Sequence, residues 1–284
     1  MLDKPILVFG EILWDIFPDG KKLGGAPLNF SYYFQKQRGN PKLISAVGKD
    51  KLGEKALKQI KALGIDTSYI KQINKQTGRV EFSLYEKKHI FDIIRETAWE
   101  YIEYPWNNSL IENSQGLYFG TVSRNSEQNR KTLDKLLEKY ENKLIFFDLN
   151  LRQGFYNLKD IRELIKRATY LKLNEEEVII LRNNKLIAGS TFKEMAYSLV
   201  DNYNLTGCCI TLGSKGVIGG DKNQIIKVDG ICAKDGGDSI GCGDAFSATW
   251  LACLLKGMGM KESFYKANKI GSRVASERGA IIEI

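Results

Sequence analysis

The stretch Gly236-Gly237-Asp238-Ser239-Ile240-Gly241-Cys242-Gly243-Asp244-Ala245-Phe246 sets glycines directly ahead of an apolar pattern at Ala245, Phe246, Ala248, Leu251, Ala252, Leu254 and Leu255. That spacing predicts a helix over Asp244–Lys256, with Gly257 as its C-cap. Small residues thus lead straight into a helix N-terminus, where free backbone N–H groups and the positive end of the helix dipole attract anions such as phosphate. Gly241 and Gly243 let the backbone approach phosphoryl oxygens with no Cβ in the way. Asp244 conflicts with a plain anion hole, because its charge repels phosphate. A carboxylate in that place fits a general base that takes a proton from an attacking hydroxyl. The local pattern equally allows Asp244 to be a simple N-cap.

Working outward, short apolar runs at Ile6–Phe9, Lys42–Val47, Gly116–Phe119, Leu144–Asp148, Thr169–Leu173 and Cys208–Leu212 read as buried parallel strands. Helical patterns lie between and after them: Asn29–Lys36, Leu52–Leu63, Ser126–Tyr140, Ile161–Arg167, Phe192–Tyr203 and Glu262–Ala275. The alternation predicts an α/β domain over residues 1–284, with a mostly parallel central sheet covered by helices on both faces. One stretch departs from this rhythm. Gly78–Tyr104 alternates as antiparallel strands do, with Glu86-Lys87-Lys88 as a hairpin turn. Together with residues 12–23 it is expected to form a small projecting sheet that acts as a water-excluding lid. His89, the one histidine, falls near the hairpin tip and reads as an exposed turn residue.

Several function classes drop out. No Lys follows the glycines, so the turn is not a Walker A loop, and no Gly-x-Gly-x-x-Gly follows Phe9 as a dinucleotide fingerprint would. The net charge is +8, but Lys and Arg are interspersed with acids, as in Lys159-Asp160-Ile161-Arg162-Glu163, so no nucleic-acid partner is expected. The five cysteines (208, 209, 232, 242 and 253) form no metal-binding spacing and read as reduced thiols. No apolar run is long enough to span a membrane, and the expected location is the cytoplasm.

Gly-x-Gly-Asp opening a helix after Asp-Ser resembles the C-terminal signature of the ribokinase-like carbohydrate kinases, the PfkB family, which usually reads Asp-Thr-x-Gly-Ala-Gly-Asp. Ser239 stands in for Thr, and Cys242 for Ala or Gly. Other landmarks follow in order along nearly the whole chain. Gly24-Gly25-Ala26-Pro27-Leu28-Asn29 resembles the N-terminal signature, in which glycines admit the sugar and Asn bonds its hydroxyls. Gly10-Glu11-Ile12-Leu13-Trp14-Asp15 resembles the opening strand, whose Asp holds two hydroxyls. Asp148-Leu149-Asn150-Leu151-Arg152 matches Asp-x-Asn-x-Arg, Asn174-Glu175-Glu176-Glu177 matches Asn-x-x-Glu, and Thr211-Leu212-Gly213-Ser214-Lys215-Gly216 matches the nucleotide loop.

The resemblance implies a three-layer ribokinase-like fold with a small β lid, and an ATP- and Mg²⁺-dependent sugar kinase. It implies Asp244 as base, with the Gly241, Cys242 and Gly243 amides as anion hole. Sugar contacts fall to Asp15, Gly24, Gly25, Asn29 and Arg152. The nucleotide falls to Asn174, Glu177, Thr211, Gly213, Gly216 and Asn268, with Glu177 reaching Mg²⁺ through water and Asp238 beside a monovalent cation such as K⁺. Ala26-Pro27, Ala98-Trp99-Glu100 and Phe119-Gly120-Thr121 look like the fructokinase branch, making D-fructose the expected substrate. The alternatives are 2-keto-3-deoxygluconate or ribose, or a non-catalytic sugar- or nucleotide-binding regulator. A homodimer through the apolar face of Val80–Ile94 is a further expectation.

Overall fold

A computed structural model describes residues 3–17, 20–85, 88–105 and 108–284, with side chains described outside 82–91. The large sheet grows from strands whose alternate residues both meet apolar cover. In β1 (Ile6–Phe9), Leu7 and Phe9 join one core and Ile6 and Val8 the other. The same division recurs in β8 (Gly116–Gly120), β9 (Leu144–Asp148) and β10 (Tyr170–Asn174), in β4 (Pro41–Gly48) and in β11 (Gly207–Thr211). Two-sided burial is what a parallel sheet requires.

The sheet order is β13-β12-β11-β10-β9-β8-β1-β4-β5, closed at one edge by β5 (Ile70–Ile73) and at the other by β12 (Val217–Gly220) and β13 (Ile225–Val228). Every neighbouring pair from β11 to β5 is parallel, whereas β11–β12 and β12–β13 are antiparallel. One face is covered by α4 (Glu127–Lys139), α5 (Leu158–Arg167), α6 (Glu175–Asn183) and α7 (Phe192–Tyr203), beside the short α3 (Asn108–Asn113). The other carries α1 (Ala26–Lys36), α2 (Lys51–Ala62), α8 (Cys242–Leu255) and α9 (Met260–Ala275). Three layers result, as expected.

Helix α8 is apolar on every side because it is sandwiched between α1 and α9. Trp250 meets Phe146 edge-on at 5.2 Å, and Phe30 of α1 stacks on Tyr118. Burying side chains of this size stabilises by about 1.5–3 kcal/mol each, which fixes the height of the α8 N-terminus over the strand ends.

A second, four-stranded sheet has the order β3-β2-β6-β7, from β2 (Leu13–Phe17), β3 (Gly20–Gly24), β6 (Gly78–Tyr85) and β7 (Lys88–Ile93). β2 pairs antiparallel with β3 and parallel with β6, and β6 and β7 form the hairpin. Lys88 already lies in β7, while Glu86 and Lys87, the rest of the expected turn, fall outside the described residues. His89 pairs with Leu84 within the hairpin, so it is a strand residue, its side chain being outside the described set. The segment expected to belong to this sheet ends early. Ala98–Tyr101 is a 3-10 turn, and Ala98, Ile102 and Tyr104 are buried in the main core. Helix α6 went unread in the sequence: Val178-Ile179-Ile180-Leu181 looks like a strand, but a capping box between Asn174 and Glu177 starts a helix there.

Candidate active site

Asp244 is the third residue of α8. Gly241, left-handed at φ 78°, occupies the N-cap position with no side-chain cap, so the reading of Asp244 as an N-cap is set aside. A Cβ at Gly241 would lie 2.5 Å from the Ala280 carbonyl, so glycine is required for close passage as well as for φ. The half-buried Asp244 carboxylate accepts a 2.8 Å hydrogen bond from Asn29 Nδ2. Burial first and the neighbouring Asp148 second push Asp244 up to about 7, against the pull of Asn29, Lys172 and Arg152. The Cys242 thiol points back at the Asp238 carbonyl and is pushed up to about 11 by burial, so it is an unreactive neighbour.

The residues expected to hold a sugar stand on α1, on β2 and in the loop after β9. Ala26-Pro27 opens α1 after Gly25, whose φ is 112° and where a Cβ would lie 2.4 Å from Glu11 O, so no side chain fits. Asn29, on the first turns of α1, spends its amide N–H on Asp244, and its Oδ1 is buried with no partner among the described residues. An orphaned buried acceptor is costly and calls for a donor such as a ligand hydroxyl. Asp15 stands on β2, and a Cβ at Gly24 would fall 3.0 Å from its Oδ2. Burial lifts Asp15 to about 6, moderated by Arg152 and Lys22. Arg152 is exposed and bonds the Leu151 carbonyl; among the described residues no carboxylate lies within ion-pair distance of it. Its charge nevertheless acts on Asp244, Asp15 and Glu11 together, so it stands near all three carboxyl groups.

Residues around Glu177 form a clamp. Its Oε1 accepts the Leu151 N–H and its Oε2 the Asn174 N–H, each at 2.8 Å, while Asn174 Oδ1 accepts the Glu177 N–H. The loop Asn150–Arg152, which begins with Asn150 in the left-handed region, is thereby tied to the start of α6. Glu177 is 3% exposed, and each oxygen keeps one lone-pair direction beyond the clamp. Among the described residues no group of three or more His, Cys, Asp or Glu could cage a metal. That donor set fits a Mg²⁺ carried by phosphates and waters, the usual habit of this ion, better than a protein cage.

In the loop expected to hold the nucleotide, Gly213–Lys215 is a 3-10 turn after β11, and a Cβ at Gly216 would strike Val228 O at 2.1 Å. Asn268 on α9 donates to Asp229 O, one residue further on, so the Thr211–Gly216 loop and Asn268 share one wall. Thr211 Oγ1 reaches Leu173 O at 3.4 Å. Asp238 is held at both oxygens: its Oδ1 accepts the Ile240 N–H and its Oδ2 the Gly279 N–H, lashing the glycine turn to the C-terminal loop.

Two buried groups escaped the sequence reading. Glu11, 4% exposed, accepts from Ser123 Oγ at 3.0 Å and is pushed up to about 7 by burial. Lys172, in the middle of β10, sits beneath α8 with its ammonium 2.9 Å from Asp148 Oδ1. Asp148 Oδ2 accepts from Ser247 of α8 at 2.7 Å. The available signal was one lysine inside the apolar run Tyr170–Leu173, which a solvated charge does not occupy.

The profile of the pfkB family carbohydrate kinases matches residues 16–284. A Pyrococcus horikoshii protein described as an uncharacterized sugar kinase is 28% identical over 280 residues, covering 92% of this chain and 83% of that protein. Its structure in complex with ATP superposes with a TM-score of 0.82 over 97% of this chain and 93% of that one, at 27% identity. The ATP-dependent 6-phosphofructokinase of Thermoanaerobacterium thermosaccharolyticum is 24% identical over 98% of this chain and 90% of its own. A double-mutant fructokinase from Vibrio cholerae, solved with fructose, ADP and potassium, shares the fold with a TM-score of 0.82 at 20% identity, over 98% and 94% of the two chains. Among the described residues no helix is long and apolar enough to cross a membrane. The fold, the glycine turn opening α8 and the matched profile agree: the chain belongs to the pfkB family of carbohydrate kinases.

Proposed function

We propose that this sugar kinase transfers the γ-phosphoryl of ATP to the primary hydroxyl of D-fructose, giving fructose 6-phosphate and ADP. The observation that carries the reading is the 2.8 Å hydrogen bond from Asn29 to Asp244, which joins the sugar-signature helix to the glycine-turn helix at one point. Sugar hydroxyls bond Asp15 and the orphaned Asn29 Oδ1, between the small sheet, which serves as the lid, and the strand ends. ATP lies across Thr211–Gly216 and Asn268, and its Mg²⁺ offsets phosphate charge with Glu177 behind a water. Asp244 takes the proton as the hydroxyl oxygen bonds to phosphorus and the bond from phosphorus to the departing ADP oxygen breaks. The backbone N–H groups of Gly241, Cys242 and Gly243 stabilise charge on the transferred group. Arg152, which has no carboxylate partner among the described residues, pairs with phosphoryl oxygens.

Fructose rests on the sequence features of its branch, Ala26-Pro27 and Ala98-Trp99-Glu100 among them. The test is ADP release from MgATP with fructose, ribose, glucose, 2-keto-3-deoxygluconate and adenosine in parallel. Preferred turnover of fructose is expected. Preferred turnover of another sugar moves the substrate and keeps the chemistry, and ATP binding without turnover of any sugar favours a non-catalytic regulator.

A further inference from the structure

Lys172 occupies a core position. Its strand neighbours Leu171 and Leu173 are fully buried on the opposite face, and its own side chain is 8% exposed. A buried ammonium is expensive unless its charge and its three N–H groups are used. Here Asp148 Oδ1 is the single acceptor within hydrogen-bond distance among the described residues. Burial alone would pull this ammonium down, but the Asp148 and Glu177 carboxylates outweigh it and hold the group above its ordinary value, so the charge is permanent. The ammonium also has a defined place. A Cβ at Gly243 would come within 3.1 Å of Nζ, so Lys172 abuts the first turn of α8 one residue before Asp244. Asp148, its partner, is fastened to that same helix through Ser247 and also meets Tyr118 OH at 3.4 Å.

We propose that Lys172 is a positioning residue for the phosphoryl transfer: its ammonium, clamped by Asp148 beneath Gly243, supplies the fixed positive charge that holds the Asp244 carboxylate in its reactive form. This rests on Asp244 being the base. A carboxylate beside incoming phosphates otherwise protonates or turns away, and a hydrophobic residue at 172 would fill the volume equally well while leaving Asp148 and Asp244 to repel each other. The groups facing Asp244 are Asn29 and Tyr33 from α1, Tyr118 from β8, Asp148 at the end of β9, Arg152 from the following loop, Lys172 from β10 and Cys242 on α8 itself. Of these, Lys172 and Asp148 act with opposite sign and share one ion pair.

That opposition supplies the test. Lys172→Met and Asp148→Asn both break the same buried ion pair, so a merely structural role damages both in the same way. The pH dependence of kcat/KM for the sugar is measured for each, with Asp244→Asn as control. Lys172→Met is expected to move the acidic limb upward by on the order of one pH unit, and Asp148→Asn to move it downward. About tenfold lower kcat/KM on the acid side of the limb, recovered at high pH, is the signature of Lys172→Met. Limbs that stay put, or move together, overturn the proposal. If Lys172→Met does not fold, Lys172→Gln, which keeps an N–H donor for Asp148 but no charge, is measured in its place, and an acidic limb that does not move upward overturns the proposal. Full turnover in Asp244→Asn instead sinks the base assignment beneath it, a separate failure.

Discussion

Asn29 and Asp244 stand 215 residues apart in sequence and 2.8 Å apart in the fold, amide nitrogen to carboxylate oxygen. The bond ties the Asp244 carboxylate to α1, and among the described residues Asn29 Oδ1 is left buried without a hydrogen-bond partner. In the proposed reaction one side chain would then both aim the base and accept a hydroxyl of the sugar.

Removal of the base follows first. General base catalysis is worth about 10²–10⁴-fold, so Asp244→Ala is expected to lose at least a hundredfold in kcat while retaining ATP binding. Steady-state kinetics beside a nucleotide titration checks both halves. Near-normal kcat would refute the role.

The acidic limb of activity should fall near neutrality. Burial and Asp148 hold Asp244 at about 7, well above its ordinary 3.8, and only the ionised form accepts a proton. kcat/KM is therefore expected to rise with pH through about 7 and level off above it. A limb near pH 4 in the wild-type profile would show that burial and Asp148 do not lift Asp244 above its ordinary value.

The parallel sheet and its helices were legible because apolar runs and amphipathic patterns report burial directly. The glycine turn at 236–244 was legible because glycine spacing reports close backbone approach. What escaped depends on contacts distant in sequence. Lys172 is one charge in an apolar strand, and its reason lies 24 residues away in Asp148. The end of the small sheet was overrun because Ala98, Ile102 and Tyr104 look alike whether they cover a lid or the main core. Glu177 was expected beside the metal, while its place in a capping box that also holds Leu151 shows only in three dimensions.

Asp15 tests the sugar side. Its carboxylate lies against Gly24 under the influence of Arg152, and losing a hydrogen bond to a charged group costs about 1.5–3 kcal/mol. Asp15→Ala is expected to raise the sugar KM tenfold or more and leave the ATP KM within about twofold. An unchanged sugar KM would move the sugar elsewhere.

Potassium dependence tests Asp238. Its two oxygens already hold Ile240 N–H and Gly279 N–H, so a cation would bind through the tethered loop and stiffen the α8 N-terminus. Titrating K⁺ against Na⁺ in the assay is expected to show activation by K⁺. Indifference to both ions would remove the cation from this site.

Glu11 gives a stability prediction whose sign depends on pH. Its folded-state value of about 7 lies above its ordinary 4.5, so burial disfavours the ionised form. Below pH 4.5 the group is protonated in both states and contributes no penalty. As pH rises through that window the unfolded chain ionises first, and by pH 8 the folded protein carries the full cost. A shift from 4.5 to about 7 corresponds to about 3 kcal/mol, at about 1.36 kcal/mol per unit. Glu11→Gln keeps an acceptor for Ser123 Oγ and cannot ionise. It is therefore expected to raise Tm relative to wild type at pH 8 and to lose that advantage at pH 4.5. Thermal melts of both proteins at the two pH values decide it: an advantage equal at both, or larger in acid, would mean that the Glu11 carboxyl is not held neutral by its burial.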